Sequence, residues 1–499
     1  MKHKKMKWRI VCIGVLFAGI SFCMSAQVVL TIEKALDIAE ENNPSMKTQK
    51  LNLESSLYTL AAQRASLKPQ FTLSTDPFGY SRTRRLDSRT SQWYTNTVVS
   101  SSANFTASLP ILLTDGAFSL NNTFSWQNNQ SQLEGSTNAS KAFSNNLNIR
   151  YDQPLFTYNQ QKMALERLEF AYENAGISYA LRRLSTELNI TRQFYDVYMA
   201  ENSLQISQEE LKNTQTNYNI VKAKVDAALS AKEELFQAEV NLATALSTVE
   251  TDKAALDNAK DLLKQTLGMT LSEDIAVEAV IDVSPILIDL SKAVECGLSS
   301  RKELRQREIA MDLAEFDLIE VQAKNKFSGN LSLSVGITGD NAAFTNIYDN
   351  AVSSPRIAVS FAIPIFDWGQ RKARIQASKT AQTIAQLDYD NQKVSIELEI
   401  RQTMRSLDNY RTQIGIQEKN VENTQNTYNL NQIRYSEGDL TGLEISQYQA
   451  QLSKARTSLV EAKINYKIQL LNLKILTLYD FDNDKPIVPM TTLEGLSVK

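Results

Sequence analysis

Two stretches of the chain run 74 residues without proline and carry apolar side chains at helical spacing. The first follows Pro154 and reaches Ala228; the second follows Pro364 and reaches Gly438, 210 residues further on. Proline breaks helix interiors, and similarity at a fixed offset marks a duplicated unit. The pattern therefore predicts two equally long helices, each rising roughly 110 Å at 1.5 Å per residue.

The pattern continues beyond each long stretch. Ile445, Tyr448, Leu452, Ala455, Leu459, Ala462, Tyr466, Gln469, Leu473 and Leu476 step by three and four. The positions 210 residues earlier are Leu235, Ala238, Leu242, Ala245, Val249, Asp252, Leu256, Ala259, Leu263 and Thr266, mostly apolar, with Asp252 and Thr266 the exceptions. A repeat of this period predicts returning helices packed knobs-into-holes, ending near Gly268 and Tyr479.

A shorter helix is predicted over Leu30–Leu67, with Thr31 as N-cap and Pro69 as its end. A weaker relative covers Ile288–Lys326, where Lys292–Lys302 aligns with Lys34–Pro44 at an offset of 258. One short helix and one returning helix together match the length of one long helix. That sum suits a cylinder wall made of helix pairs.

Strand-like alternation separates the short helices from the long ones. In the second copy Leu331, Leu333, Val335 and Ile337, then Ile357, Val359, Phe361 and Ile363, alternate with small or polar residues. In the first copy the same interval is longer, 84 residues from Gln70 to Gln153 against 36 from Ser328 to Ile363. It offers strands at Phe71–Tyr80, Thr97–Leu109, Ala117–Gln127 and Asn145–Gln153. The extra residues suit an added hairpin, a long external loop or a bulged strand near Pro110–Gly116. Trp93, Tyr94, Trp126 and Tyr151 are candidates for an interfacial aromatic girdle.

The first 26 residues read as a secretory signal: Lys2, Lys4, Lys5, Lys7 and Arg9, an apolar core over Ile10–Ile20, and small Ser25 and Ala26 before Gln27. Lipidation at Cys23 is disfavoured by the bulky Phe22 before it. The sequence thus divides into residues 1–26, a first repeat at 27–285, a second at 286–480 and a tail at 481–499.

The chain's one His, His3, and two of its three Cys, Cys12 and Cys23, lie inside that signal. The mature chain keeps only Cys296, which excludes His/Cys zinc sites and His acid–base chemistry. No metal, cofactor or catalytic residue is expected, and an enzyme is not expected. The formal net charge of -3 implies no nucleic-acid partner. No apolar run of spanning length comes after the signal, so integral membrane contact would require a closed barrel.

At the predicted tips, Glu234 matches Glu444 and Gln237 matches Gln447 under the 210-residue offset. Each pair shares one helix face, as acids at any helix start would, or as part of an acidic ring at a pore mouth. Gly438 and Gly442 suit a reversal with positive φ, whereas Ala228 lacks that freedom, so the two tips are expected to differ in path.

The opening Leu30–Pro44, the segment Ile363–Arg374 and the tip Arg434–Leu452 together resemble the TolC family of outer-membrane efflux proteins. The resemblance implies a mainly α fold with a membrane β-barrel portion: a homotrimeric α-barrel/β-barrel of long coiled-coil helices built by internal duplication. It implies a twelve-stranded barrel, four strands from each protomer, set in outer membrane lipid and extending into the periplasm of a Gram-negative bacterium. It also implies an exit duct fed by an inner-membrane pump through a periplasmic adaptor protein. By the same resemblance, Glu444 and Gln447 take the places of the pore constriction. Tyr435 and Glu234 take those of a gate-closing link, and Leu440 stands where an Arg reinforces closure. Ala228, Leu229, Ser230, Gly438, Asp439, Leu440 and Thr441 take those of the adaptor-docking tips, and Pro154 and Pro364 those of the strand-to-helix junctions. A type I protein-secretion duct and a metal-efflux duct share this tube. A secreted coiled-coil adhesive protein would share only the heptads.

Overall fold

A computed structural model describes residues 28–87, 91–133, 136–279, 281, 283, 286–324, 326–437 and 439–487. The signal, Cys23, Gly438 and the end of the 481–499 tail lie outside them.

The chain begins with β1 (Val28–Leu30), α1 (Ile32–Asn42) and α2 (Pro44–Ser66). These lead to four long strands, β2 (Gln70–Asp87), β3 (Gln92–Ile111), β4 (Gly116–Leu133) and β5 (Ser136–Leu155). α3 (Gln160–Asp226), α4 (Lys232–Leu267) and β6 (Ile275–Val277) close the first copy. The second runs α5 (Leu290–Ser300), α6 (Lys302–Ala323), β7 (Ser328–Asn341), β8 (Val352–Ser353), β9 (Arg356–Ala362), α7 (Gln370–Glu437) and α8 (Gly442–Thr477). A small hairpin, β10 (Tyr479–Asp480) and β11 (Lys485–Pro486), comes last.

The predicted pairing of long and returning helices is present. α3 and α7 have 67 and 68 residues, and α4 and α8 have 36 each. Gln160, Lys232 and Leu267 map onto Gln370, Gly442 and Thr477 at the predicted offset. The long helices start six residues after Pro154 and Pro364, because the chain must first turn out of the sheet. Asn159 accepts from the Lys162 amide at 2.8 Å and Asp367 from the Arg371 amide at 2.9 Å, so each junction supplies its own cap.

Each predicted short helix is in fact two. Asn43 accepts from the Met46 amide at 2.9 Å and Pro44 occupies the first helical turn, so a new helix begins there. The second copy breaks at the equivalent Arg301 (φ −62°, ψ 121°) without a proline. There the guanidinium is held by Glu303 at 2.6 Å and Glu399 at 3.2 Å.

The chain gathers into two compact units. Among the described residues, one holds 28–42, 190–279 and 435–450; the other holds 43–189, those between 281 and 434, and 451–487. In the first unit β1 pairs parallel with β6, and Glu201 and Glu210 of α3 lie near Lys260 and Asp252 of α4. All ten seam positions of α4, from Leu235 to Thr266, are buried or half-buried. Gly268 ends α4 at φ 73°, and a Cβ there would lie 2.4 Å from the Asn42 carbonyl oxygen, so only glycine fits.

The second unit contains an extended apolar cluster. Ala293, Leu304, Ile396, Ile400, Leu407, Ile414, Ala462, Tyr466 and Leu473 join α5, α6, α7 and α8. Gly297 brings α5 against Ile400; a Cβ would sit 2.3 Å from the Ile400 Cδ1. α2 lies on α3 through Met46, Leu53 and Tyr179.

The same unit holds the large sheet, ordered β2-β3-β4-β5-β7-β8 with β9 also pairing β7. All four strands predicted in the first copy form, and each is longer than predicted. The extra residues are a hairpin, β3–β4, inserted between β2 and β5. One protomer therefore supplies six long or medium strands, not the four that the resemblance implied.

Candidate functional site

The sheet has two chemically distinct faces, and the register sets them. One face carries Phe71 and Leu73 on β2, Phe105 and Leu109 on β3, and Phe118, Leu120, Phe124 and Trp126 on β4. Ile149, Leu147 and Phe143 on β5, Leu333 and Val335 on β7, and Ile357 and Val359 on β9 continue it. Phe118 to Trp126 covers about 27 Å of strand, matching the apolar band of an outer-membrane barrel. Much of this band is open: Phe71 is 70% exposed and Ile357 78%.

The opposite face is small and polar. Thr72 and Ser74, Thr106 and Asn104, Asn121 and Thr123, Asn148 and Asn146, and Ser334 lie in register across it. Among its charges, Arg150 meets Asp152 at 2.9 Å. A bulge between Asp76 and Gly79 shifts the parity of β2, so that Tyr80 rather than Gly79 rejoins the apolar face opposite Val99.

The predicted girdle divides. Tyr151 packs on Phe118 at 4.7 Å between centroids, at one end of the band. Trp126 stands opposite Phe143 at the other end, beside the Phe124–Phe143 pair that Phe344 joins edge-on. Trp93 and Tyr94 lie beyond the band, near the β2–β3 turn, and face opposite sides; Arg84 covers Trp93 at 5.3 Å. At the strand-to-helix junction Phe327 stacks on Phe361, and Ile365 and Trp368 are 95% and 90% exposed.

The tip residues belong to the other unit. Ala228 adopts φ 60° at the end of α3, with the Leu229 amide donating to the Lys224 carbonyl at 2.8 Å. This is a left-handed C-terminal motif usually built on glycine. The expectation that alanine would forbid that path is therefore corrected; the turn's hydrogen bonds outweigh the strain. Gly442 is also corrected: its φ is not positive, and it starts α8. Its missing Cβ makes room for the Asn217 amide, which donates to the Gly442 carbonyl at 3.4 Å.

Tyr435 donates its hydroxyl hydrogen bond to Asn217. The link expected to Glu234 is not the bond formed: Glu234 instead accepts from Ser230 within its own turn. Glu234 still acts at a distance. Burial first, and then the Glu234 carboxylate, push the Tyr435 phenol above its ordinary pKa. The Lys224 ammonium lies 5.8 Å over the ring of Tyr435.

Glu444 is engaged locally. Its carboxylate accepts from the Thr441 amide and hydroxyl, both at 2.9 Å, while the Glu444 amide donates to the Thr441 hydroxyl at 3.3 Å. That is a capping box, legible as Thr-x-x-Glu. Gln447 is exposed one turn on, as are Asp439, Thr441 and Ala228, and Leu229 is 79% exposed. Asn217 carried no sequence signal, because only the fold brings α3 beside residue 435.

Among the described residues no helix is long and apolar enough to cross a membrane, and no cluster could hold a metal ion. A family model for the outer membrane efflux protein matches residues 297–477, from Gly297 in α5 to the end of α8.

That segment is of the outer membrane efflux protein family, and the chain around it is similar to TolC and CusC.

Relatives extend the likeness beyond the matched segment. The cation efflux system protein CusC of Escherichia coli is 22% identical over 361 residues, 71% of this chain and 75% of that protein. The outer membrane protein TolC of Escherichia coli is 21% identical over 65% of this chain and 68% of that protein. In fold, a crystal structure of CusC superposes with a TM-score of 0.68 at 17% identity, covering 89% of this chain and 91% of that one. The Campylobacter jejuni CmeC channel gives 0.65 at 16% identity, covering 89% and 85%. The chain therefore shares with them a fold of long helices joined to an antiparallel sheet.

Proposed function

We propose that three copies form a gated passive duct that receives small molecules from an inner-membrane pump through a periplasmic adaptor and releases them outside the cell. The observation that carries this reading is the division of the six-strand sheet into an apolar and a small polar face. A wall between lipid and water needs that division.

In this reading Glu444 and Gln447 narrow the periplasmic mouth. Three Glu444 carboxylates brought close together repel, so closure relies on neutral contacts. Tyr435 with Asn217 is such a contact, fastening residue 435 to α3. Ala228, Leu229 and Ser230 on one tip and Gly438, Asp439, Leu440 and Thr441 on the other receive the adaptor. The exposure of Leu229 supports a docking role. Adaptor binding favours the splayed state by contacting it better than the closed one.

Glu444→Gln separates charge from capping, because glutamine also completes a capping box. In planar bilayers, block by a trivalent cation added on the periplasmic side should weaken about tenfold in this variant, as expected for loss of charge rather than of structure. Unchanged block removes Glu444 from the entrance.

A further inference from the structure

We propose that the membrane wall of this channel has eighteen strands, six from each of three copies, closed by a seam where β2 of one copy pairs with β9 of the next. The proposal rests on the three-copy reading above and departs from the twelve strands the family resemblance implies.

The inserted hairpin belongs to the wall. β3 pairs with β2 from Gln70↔Ser108 to Asp87↔Gln92, and β4 pairs with β5 from Ala117↔Asp152 to Leu133↔Ser136. Its apolar residues continue the band without a gap: Phe105 stacks with Phe71 at 6.4 Å, and Phe118 tilts on Tyr151 at 4.7 Å. Moved outside the wall, Phe105, Leu109, Phe118, Leu120, Phe124 and Trp126 would face water. β2 and β5 would then lose the partners they have.

Two sides of the sheet remain without a partner strand among the described residues, that of β2 and that shared by β9 and the two-residue β8. In hydrocarbon each unpaired backbone group costs several kcal/mol, so an open edge there is not tolerated. Both edge strands carry the band, Phe71 and Leu73 on β2, and Ile357, Val359 and Phe361 on β9, all exposed. The strands alternate in direction across the sheet. With six strands, β9 of one copy therefore meets β2 of the next antiparallel, and the total is even, as closed outer-membrane barrels require. β9 spans Arg356–Ala362, and β2 runs without a bulge over Gln70–Asp76, a matching length.

Barrel diameter grows roughly linearly with strand number, so this wall is about one and a half times as wide as a twelve-stranded one. Such a barrel is no bottleneck, and the small Ser, Thr and Asn side chains of the polar face leave the lumen open. Passage is then controlled at the tips alone.

The test uses the full chain in a Cys296→Ser background, with Thr72→Cys or Ser74→Cys on β2 combined with Ala358→Cys or Ser360→Cys on β9. Mild oxidation in outer membranes should give covalent dimers and trimers for at least one pair. Thr72→Cys with Asn148→Cys on β5 should stay unlinked, because β3 and β4 separate them. The reverse, a β2–β5 bridge within one chain and none between copies, overturns the proposal while leaving a twelve-stranded duct. If neither pair links and the extracted particle has a mass other than three copies, the three-copy reading falls as well. An electron-microscopy map of the unmodified particle decides independently of any variant: eighteen strands support the seam, and twelve overturn it.

Discussion

The Tyr435 hydroxyl donates a hydrogen bond to Asn217, tying the end of α7 to α3 within the tip unit. Asn217 also reaches the Gly442 carbonyl, so one amide engages both sides of the α7–α8 turn. Removing the phenol hydroxyl in Tyr435→Phe leaves Asn217 half satisfied, a loss of about 0.5–1.5 kcal/mol for one hydrogen bond. If that contact holds the mouth closed, single-channel conductance or open probability should rise several-fold. Asn217→Ala should do the same, and the double variant should add little. Additive effects would place the two residues in separate contacts.

The same contact sets a pH dependence. Folding raises the Tyr435 pKa above its ordinary value of 10.0, through burial and the Glu234 charge. A raised pKa means that the neutral phenol is favoured in the fold. Its contribution is fully present below pH 10 and lost as pH rises through the folded value. Conductance should therefore be flat with respect to this group from pH 6 to 9 and increase above pH 10. Glu234→Gln should move that increase to lower pH, because the carboxylate that opposes ionisation is gone.

Ala228 holds a left-handed conformation that disfavours any residue with a Cβ. Ala228→Gly should stabilise the first tip by about 1 kcal/mol, read as slower amide exchange at Leu229. Exchange that is unchanged or faster would mean that the turn relaxes away from this geometry in solution. Gly268→Ala should act in the opposite sense, since its Cβ would meet the Asn42 carbonyl as well as a positive φ. A loss of about 1–3 kcal/mol for a strained backbone position should appear as a lower unfolding temperature.

Much of this was legible in the sequence, and the exceptions have physical causes. The helical repeat was readable because a long seam must keep one face apolar; even Asp252 sits half-buried on it, beside Glu210, whose pKa is raised by burial and then by Asp252. Asp252→Asn should accordingly raise the unfolding temperature at neutral pH. The breaks at Asn43 and Arg301 were hidden because apolar periodicity runs on through them, although Asn-Pro marks the first. The strand number depended on whether polar, serine-rich segments pair, which alternation alone does not decide. At the tip, the Thr441–Glu444 capping box was in the sequence as Thr-x-x-Glu, whereas Asn217 is one polar residue among many on α3 until the fold brings it to Tyr435.

The sheet's two faces make unequal demands. Leu120→Lys or Ile149→Lys puts a charge on the apolar band and should destabilise by about 2–4 kcal/mol, with loss of heat-resistant oligomer on gels. Ser119→Lys or Asn148→Lys, the neighbouring positions on the polar face, should assemble normally and shift ion selectivity toward anions. Equal damage from both sets would mean that both faces are packed.

The most direct measurement of the central claim is a spin-label scan along β4 from Ala117 to Trp126 in lipid vesicles, comparing collisions with oxygen and with a water-soluble nickel complex. The account predicts a period of two: Phe118, Leu120, Phe124 and Trp126 favour oxygen, and Ser119, Asn121, Thr123 and Ser125 favour nickel. Labels equally open to nickel at every position would contradict a strand that divides lipid from a water-filled lumen.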